Sequence, residues 1–294
     1  MTVSPQADLS HVTPADLARA LVDLGIGTGM GLMVHSSLSS FGNLVGGAPT
    51  LIEGLMAAVG PQGTIMMPSF NHGAAFRPGA PGYYDPRETP TRNGLVPDTF
   101  WRLPGVRRSL DPTHPFAAWG VQAERYISGH HRTLTMGPDS PLGLLGREGG
   151  YGLLVGVGFR SNSYHHVAET TNHAPCLGRR TEAHPVHLPD GRTVLGRTCG
   201  WRSARCPFTD EQRYPAIIEG RRLARRVRVG GSELTLFRLS DCAEVVLEML
   251  RSGADGYPPC ARCPIRPRHN EYTVPSDWDD EREALRPDSE AWTY

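Results

Sequence analysis

A histidine and a glutamate stand three residues apart in Asn162-Ser-Tyr-His-His-Val-Ala-Glu169. On a helix, that spacing puts His166 and Glu169 on one face with Cβ atoms about 5–6 Å apart. A carboxylate at that range holds one imidazole tautomer and raises its basicity, which is what a general base near neutral pH needs. The same pair also suits an exposed helix turn carrying a solvated ion pair, and the two residues alone leave both readings open. The segment follows Gly152-Leu-Leu-Val-Gly-Val-Gly158, an apolar run that predicts a buried strand ending in glycine. A strand that stops at a loop and hands over to a helix is a common place for an active site.

Three further clusters have chemistry available to them. In Val34-His-Ser-Ser-Leu-Ser-Ser-Phe-Gly42, followed by Gly46-Gly47, small and hydroxylic residues separate a strand from a helix. Exposed N–H groups and a helix N-terminus there suit a phosphate or pyrophosphate, and an ordinary Gly/Ser loop has the same composition. The stretch Arg107-Arg108-Ser109-Leu-Asp111-Pro-Thr-His114-Pro-Phe116 could clamp a phosphate, or be a solvated basic turn with a structural histidine. All six cysteines lie in the second half of the chain. Cys199 and Cys206, with the pair Cys260-Ala-Arg-Cys263, make a tetrahedral structural zinc or four reduced thiols equally reasonable.

The elements that must position these residues have their own signals. Thr13, Pro14 and Asp16 are N-cap, first-turn and dipole-complementing residues, and Gly25 ends the helix they open. Strands are predicted at 31–34 and 64–67, and helices at 48–59, 95–103, 122–127 and from Ser140 onward. This β-loop-α-β order is that of an α/β protein, with a central, mainly parallel sheet flanked by helices. Residues 71–93 read as a long functional loop. Hairpins are predicted around Asp190-Gly191 and Gly230-Gly231, followed by a helix capped by Ser240. One catalytic domain over 1–265, hairpin-rich from about 180, would then lead into an extended tail at 266–294, anchored partly by Trp278 and Trp292.

The formal net charge is zero, which gives no electrostatic case for nucleic acid or an anionic membrane. No apolar run is long enough to span a bilayer, and the first residues lack the order of a signal peptide. A cytoplasmic location is the expectation, with small molecules as partners and a monomer or homodimer as the assembly.

Taken in order, the motifs carry a resemblance. They run Val34-His-Ser-Ser-Leu38, Gly46-Gly-x-x-Thr-Leu-Ile-Glu-Gly-Leu55, Gly63-Thr-Ile-Met-Met-Pro-Ser-Phe70, Arg108-Ser-x-x-Pro-Thr-His-Pro-Phe116, Asp139-Ser-Pro-Leu142, Leu154-Val-Gly-Val-Gly158 and His166-x-Ala-Glu169. Each is unspecific; their sequence and spacing resemble the aminoglycoside 3-N-acetyltransferase (antibiotic N-acetyltransferase) family. The likeness is strong over roughly 15–180 and continues weakly to about 265 through Phe237-Arg-Leu-Ser-Asp-Cys-Ala-Glu-Val-Val246.

The resemblance implies the antibiotic N-acetyltransferase fold, with β-hairpin additions in the C-terminal half. It implies transfer of acetyl from acetyl-CoA to the 3-amino group of the 2-deoxystreptamine ring of an aminoglycoside. His35, Ser36, Ser37, Leu38, Ser40, Phe41 and Gly42 would contact the pantetheine and pyrophosphate arms. Ser69 would lie near that arm, and Arg107 and Ser109 near the nucleotide. The His-x-x-Glu spacing selects His166 over His165 as the catalytic histidine, with Glu169 its partner, and His114 would shape the site. Ala117-Ala118 departs from the pattern where many relatives carry a serine nearby. A polycationic drug needs anionic contacts, and Asp85, Glu88, Asp111, Asp139 and Glu169 are available; all but Glu169 read equally as solvated loop carboxylates. The rival within this fold is an acyltransferase using another amine in natural-product metabolism. A metal-dependent hydrolase on His165, His166, His173, His184 and His187 lacks any standard ligand motif.

Overall fold

The computed structural model describes residues 11–70, 84–111, 113–177, 183–187, 193–197, 202–209, 213–253 and 258–267, the strands within 183–197 by backbone alone. Cys199, the Asp190-Gly191 turn, most of the 71–93 loop and the tail beyond 267, with Trp278 and Trp292, lie outside the described residues.

The chain runs β1 (His11–Val12), α1 (Pro14–Leu24), β2 (Gly31–Ser36), β3 (Asn43–Leu44), α2 (Gly47–Val59) and β4 (Thr64–Pro68). It continues through α3 (Leu95–Trp101), β5 (Arg107–Arg108), β6 (Phe116–Gly120), α4 (Ala123–Ile127), α5 (Pro141–Arg147), β7 (Tyr151–Val155) and α6 (Tyr164–Thr171). The second half holds β8 (Ala183–His187), β9 (Thr193–Arg197), α7 (Arg213–Gly220), β10 (Ala224–Val229), β11 (Ser232–Arg238) and α8 (Leu239–Ser252). At the start of α1, Thr13 and Asp16 form a reciprocal capping box, and Gly25 closes the helix in the left-handed region at φ 85°. The last helix starts at Leu239 with Arg238 in the cap position, so Ser240 lies inside the first turn and does not cap it.

Seven strands form the main sheet in the order β10-β11-β7-β2-β4-β6-β5. Only β7-β2 and β2-β4 are parallel. The pairs β10-β11, β11-β7, β4-β6 and β6-β5 are antiparallel. The sheet is therefore mixed, and the expectation of a mainly parallel one holds only for its centre. Strand β6, Phe-Ala-Ala-Trp-Gly, gave no sequence signal because it has neither β-branched residues nor alternation.

The parallel centre sets the site. Because β2, β4 and β7 run the same way, Ser36, Ser69 and Gly156 come to the same end of the sheet, and α6 starts just beyond it. The crevice outside the carboxyl ends of parallel strands is where ligands bind in open α/β sheets. Helix α6 is fixed by burying Tyr164, Val167 and Ala168 in the core between α5 and α8. Each large side chain so buried contributes about 1.5–3 kcal/mol. Gly146 of α5 leaves the space Tyr164 fills, since a Cβ there would collide with its ring.

Candidate active site

Asn162 starts α6 from both ends of its amide. Its Oδ1 accepts the Tyr164 N–H at 3.0 Å, and its Nδ2 donates to the Tyr214 hydroxyl at 3.1 Å and the Cys242 sulfur at 3.3 Å. One turn later, His166 Nδ1 lies 2.9 Å from Glu169 Oε2. An imidazole that donates Nδ1–H to a carboxylate presents Nε2 as its basic nitrogen. The His166 side chain is 16% exposed and Glu169 only 1%, so the imidazole meets solvent and the carboxylate that orients it does not.

Two residues that the sequence did not flag complete this centre. Arg202 Nη2 donates to Glu169 Oε2 at 2.6 Å, and Thr209 Oγ1 donates to Oε1 at 2.8 Å. Burial pushes the Glu169 carboxyl up, but the charge of Arg202 and the His166 hydrogen bond outweigh it and hold the group far below the usual carboxylate range. Arg202 and Thr209 lie 33 and 40 residues beyond Glu169 in sequence, in a stretch without periodicity, so no local signal marked them.

His165 packs against His166 with ring centroids 4.0 Å apart, and neither of its nitrogens has a partner among the described residues. Burial, reinforced by His166, pushes it well below the ordinary histidine range, so it is a neutral buried imidazole. Donor atoms of His165, His166 and Glu169 converge within 4.8 Å, a spacing open to a metal ion. The guanidinium of Arg202, 3.5 Å from His166 Nδ1 as well, already supplies the cation there.

The 35–42 segment sits at the ends of β2 and β7. Ser37 N–H bonds Val155 O at 2.9 Å, and Ser40 Oγ bonds both Ser37 O at 2.7 Å and Ser232 Oγ at 2.8 Å. Gly156, at φ 64°, is required beneath it, because a Cβ would strike Ser40 Oγ. The Phe41 ring is buried in the core, so this residue offers a ligand backbone only. Leu38–Phe41 form a short 3-10 turn, and the N–H groups of Leu38 and Ser39 take no acceptor among the described residues. His35 Nε2, Ser36 Oγ and Ser69 Oγ are buried without partners among those residues, at the ends of neighbouring strands.

Burial pushes His35 down to about 4 from 6.5. The unfolded chain therefore binds this proton more readily than the native one. Stability from His35 is complete above about pH 6.5 and is lost as the pH falls towards 4, by up to about 3 kcal/mol. Urea unfolding between pH 7 and pH 4 should show that loss, and His35→Asn should flatten it; an unchanged slope would contradict it.

Several expected contacts are turned inward instead. Asp111 is fully buried: Oδ1 accepts from Thr113 and the His114 N–H, and Oδ2 from Thr135 Oγ1 at 2.7 Å. It organises the turn and has no face for a drug. Ser109 is 1% exposed, with Oγ held by His130 at 2.7 Å and by the Phe116 N–H at 2.8 Å, so it does not reach a nucleotide. Glu169, with both oxygens bonded and no exposure, likewise has no face for a drug. Arg107 pairs with Glu124 at 2.7 Å, Asp139 with Arg147 at 2.8 Å, and Asp85 caps the Arg87 N–H at 2.8 Å. Glu88 is exposed. His114 is held by Thr113 Oγ1 at 2.7 Å and by the edge of Phe70, rigid beside Ser69. Of the cysteines considered for zinc, Cys206 and Cys263 are buried and Cys260 is half-buried.

A sequence model described as aminoglycoside 3-N-acetyltransferase matches residues 33–251. The curated aminoglycoside N(3)-acetyltransferase IV of a Salmonella species is 41% identical over 182 residues, covering 61% of this chain and 66% of that protein. The aligned part is thus just under two thirds of the relative's length. The solved aminoglycoside acetyltransferase AAC(3)-Xa superposes with a TM-score of 0.72 at 26% identity, covering 82% of this chain and 93% of its own. A histidine-to-alanine mutant of AAC(3)-IVa in complex with apramycin gives 0.66 at 30% identity, covering 84% and 98%.

Proposed function

The chain belongs to the aminoglycoside 3-N-acetyltransferase family, and from that premise we propose that it acetylates the 3-amino group of the 2-deoxystreptamine ring of aminoglycoside antibiotics, with acetyl-CoA as cosubstrate, and so confers resistance. The observation that carries the mechanism is the 2.9 Å contact of the solvent-reachable His166 with the buried Glu169 at the carboxyl end of the parallel strands.

Amide formation from an ammonium ion needs loss of a proton before attack. His166 Nε2 accepts it, while Nδ1–H stays on Glu169, whose charge stabilises the imidazolium. The amine nitrogen attacks the thioester carbonyl, forming the C–N bond and a tetrahedral oxyanion. The N–H groups of Leu38 and Ser39 are the donors available to that oxygen. Collapse breaks the C–S bond; the proton held by His166 goes to the departing CoA thiolate, and the second amine proton goes to solvent. No acyl-enzyme is required. Burial pushes the Cys176 thiol up to about 11 and Cys242 to about 12, which keeps both protonated and poor as nucleophiles at neutral pH. Among the described residues no helix is long and apolar enough to cross a membrane.

The test is thiol release from acetyl-CoA with gentamicin, apramycin, kanamycin and neomycin, and NMR of the product to locate the acetyl group. Release with acetylation at N3 is expected for at least one drug. No release with all four would overturn the reading and leave another amine as the acceptor.

A further inference from the structure

Glu169 has no exposure and accepts three hydrogen bonds, two of them on one oxygen. A carboxylate taken out of water must be compensated by a cation or must bind a proton. Two groups on Oε2 can supply that positive charge: the imidazole of His166 and the guanidinium of Arg202. They differ in kind, because a guanidinium does not lose its proton in proteins, whereas an imidazole exchanges its proton near neutrality.

We propose that Arg202 is a positioning residue for the proposed acetyl transfer, holding Glu169 as a carboxylate so that the His166–Glu169 pair need not take up a proton of its own and His166 stays a free base. The proposal rests on the reading of His166 as the base. With Arg202 in place, the buried Arg202–Glu169 pair is neutral, and a proton added to His166 would put a second cation 3.5 Å from the guanidinium. Without it, the buried carboxylate keeps the Thr209 hydroxyl and the imidazole, of which only the imidazole can become a cation, and the pair is stabilised by binding one more proton. The base would then already be filled when substrate arrives.

Among the described residues, the other groups bonded to or stacked on the pair bring no further charge. His165 is a neutral ring against His166, Thr209 is an uncharged donor, and Cys176, 3.6 Å from Arg202 Nη1, is a protonated thiol. The backbone at Arg202 is held in register by a bridge to Pro267 and by Ser203 N–H to Arg266 O at 2.8 Å, which aims the guanidinium at α6 from a separate segment.

The test uses Arg202→Gln, which keeps a donor and removes the charge, and Arg202→Lys, which keeps the charge. In Arg202→Gln the acid limb of the kcat/KM profile should move to higher pH by about one unit or more, lowering activity near pH 7 about tenfold and restoring it in alkali. In Arg202→Lys the limb should stay near its wild-type position. Imidazole NMR titration of the pair, in protein without either substrate, should move with the profile. Activity lost equally at every pH, with the titration unmoved, would overturn the proposal in favour of a purely structural role. Should Arg202→Gln fail to fold, imidazole NMR titration of Arg202→Met decides: a titration of His166 moved to higher pH than in the wild type is expected, and one left in place would overturn the proposal. These spectra need no aminoglycoside, so failure of the acetylation assay and failure of this proposal are separately visible.

Discussion

Replacing His166 by alanine should lower kcat by about 10²–10⁴-fold, the range a positioned general base contributes, while leaving acetyl-CoA affinity nearly unchanged. The acceptor amine is an ammonium ion at neutral pH, and without a base only the small unprotonated fraction reacts. The variant's residual rate should therefore climb with pH as free amine accumulates, well past the point where the wild-type rate levels. The fold should survive the substitution. His166 lies on the solvent side of α6, and the core positions of that helix are Tyr164, Val167 and Ala168. Glu169 keeps its bonds to Arg202 and Thr209, so no buried charge is abandoned. Steady-state kinetics against pH, with calorimetric titration of CoA, checks the pair of outcomes. A kcat within a few-fold of wild type would remove His166 from the mechanism. Unchanged kcat with weakened CoA binding would assign it to the cosubstrate.

The sequence carries the parts of this centre that depend on short-range spacing. His166 and Glu169 are legible because three residues on a helix are a fixed distance, and Thr13, Asp16 and Gly25 are legible because caps are local chemistry. Hairpin β10-β11 announces itself through Gly230-Gly231 between alternating residues. What could not be read is what long-range packing decides. Arg202 and Thr209 reach Glu169 only because the segment after β9 folds back over α6. Asp111 reads equally as a surface carboxylate because its turn bonds to Thr113 and the His114 N–H are local, while nothing local says that Thr135 closes over its other oxygen and buries it. The direction of β6 is equally non-local: its small residues suit a buried strand paired with β4 in either sense.

Glu169→Gln should be the most destabilising single change at the site, because it keeps the shape and deletes the charge. Arg202, 7% exposed, would lose the buried carboxylate it bonds at 2.6 Å. Breaking a buried pair from one side costs about 3–5 kcal/mol, whereas removing both partners often costs little. The new amide also brings an NH₂ towards the donors of His166, Arg202 or Thr209, and one of those bonds is lost whichever way it turns. A fall in Tm of roughly 5–8 °C is the expected size for a chain of this length. The double variant Glu169→Gln with Arg202→Met should regain part of the loss, which separates charge pairing from general damage. Acid unfolding gives an independent sign. Glu169 is held below the 4.5 of an ordinary glutamate, so the unfolded chain takes its proton first. Its stabilising share is present above that pH and disappears as the pH falls towards the depressed native value. Glu169→Gln has no such proton to bind, so the gap between variant and wild type should close below pH 4. A loss under 1 kcal/mol at pH 7, or a gap that stays constant into acid, would mean that the guanidinium finds its compensation elsewhere and that Glu169 is not the anion that holds it.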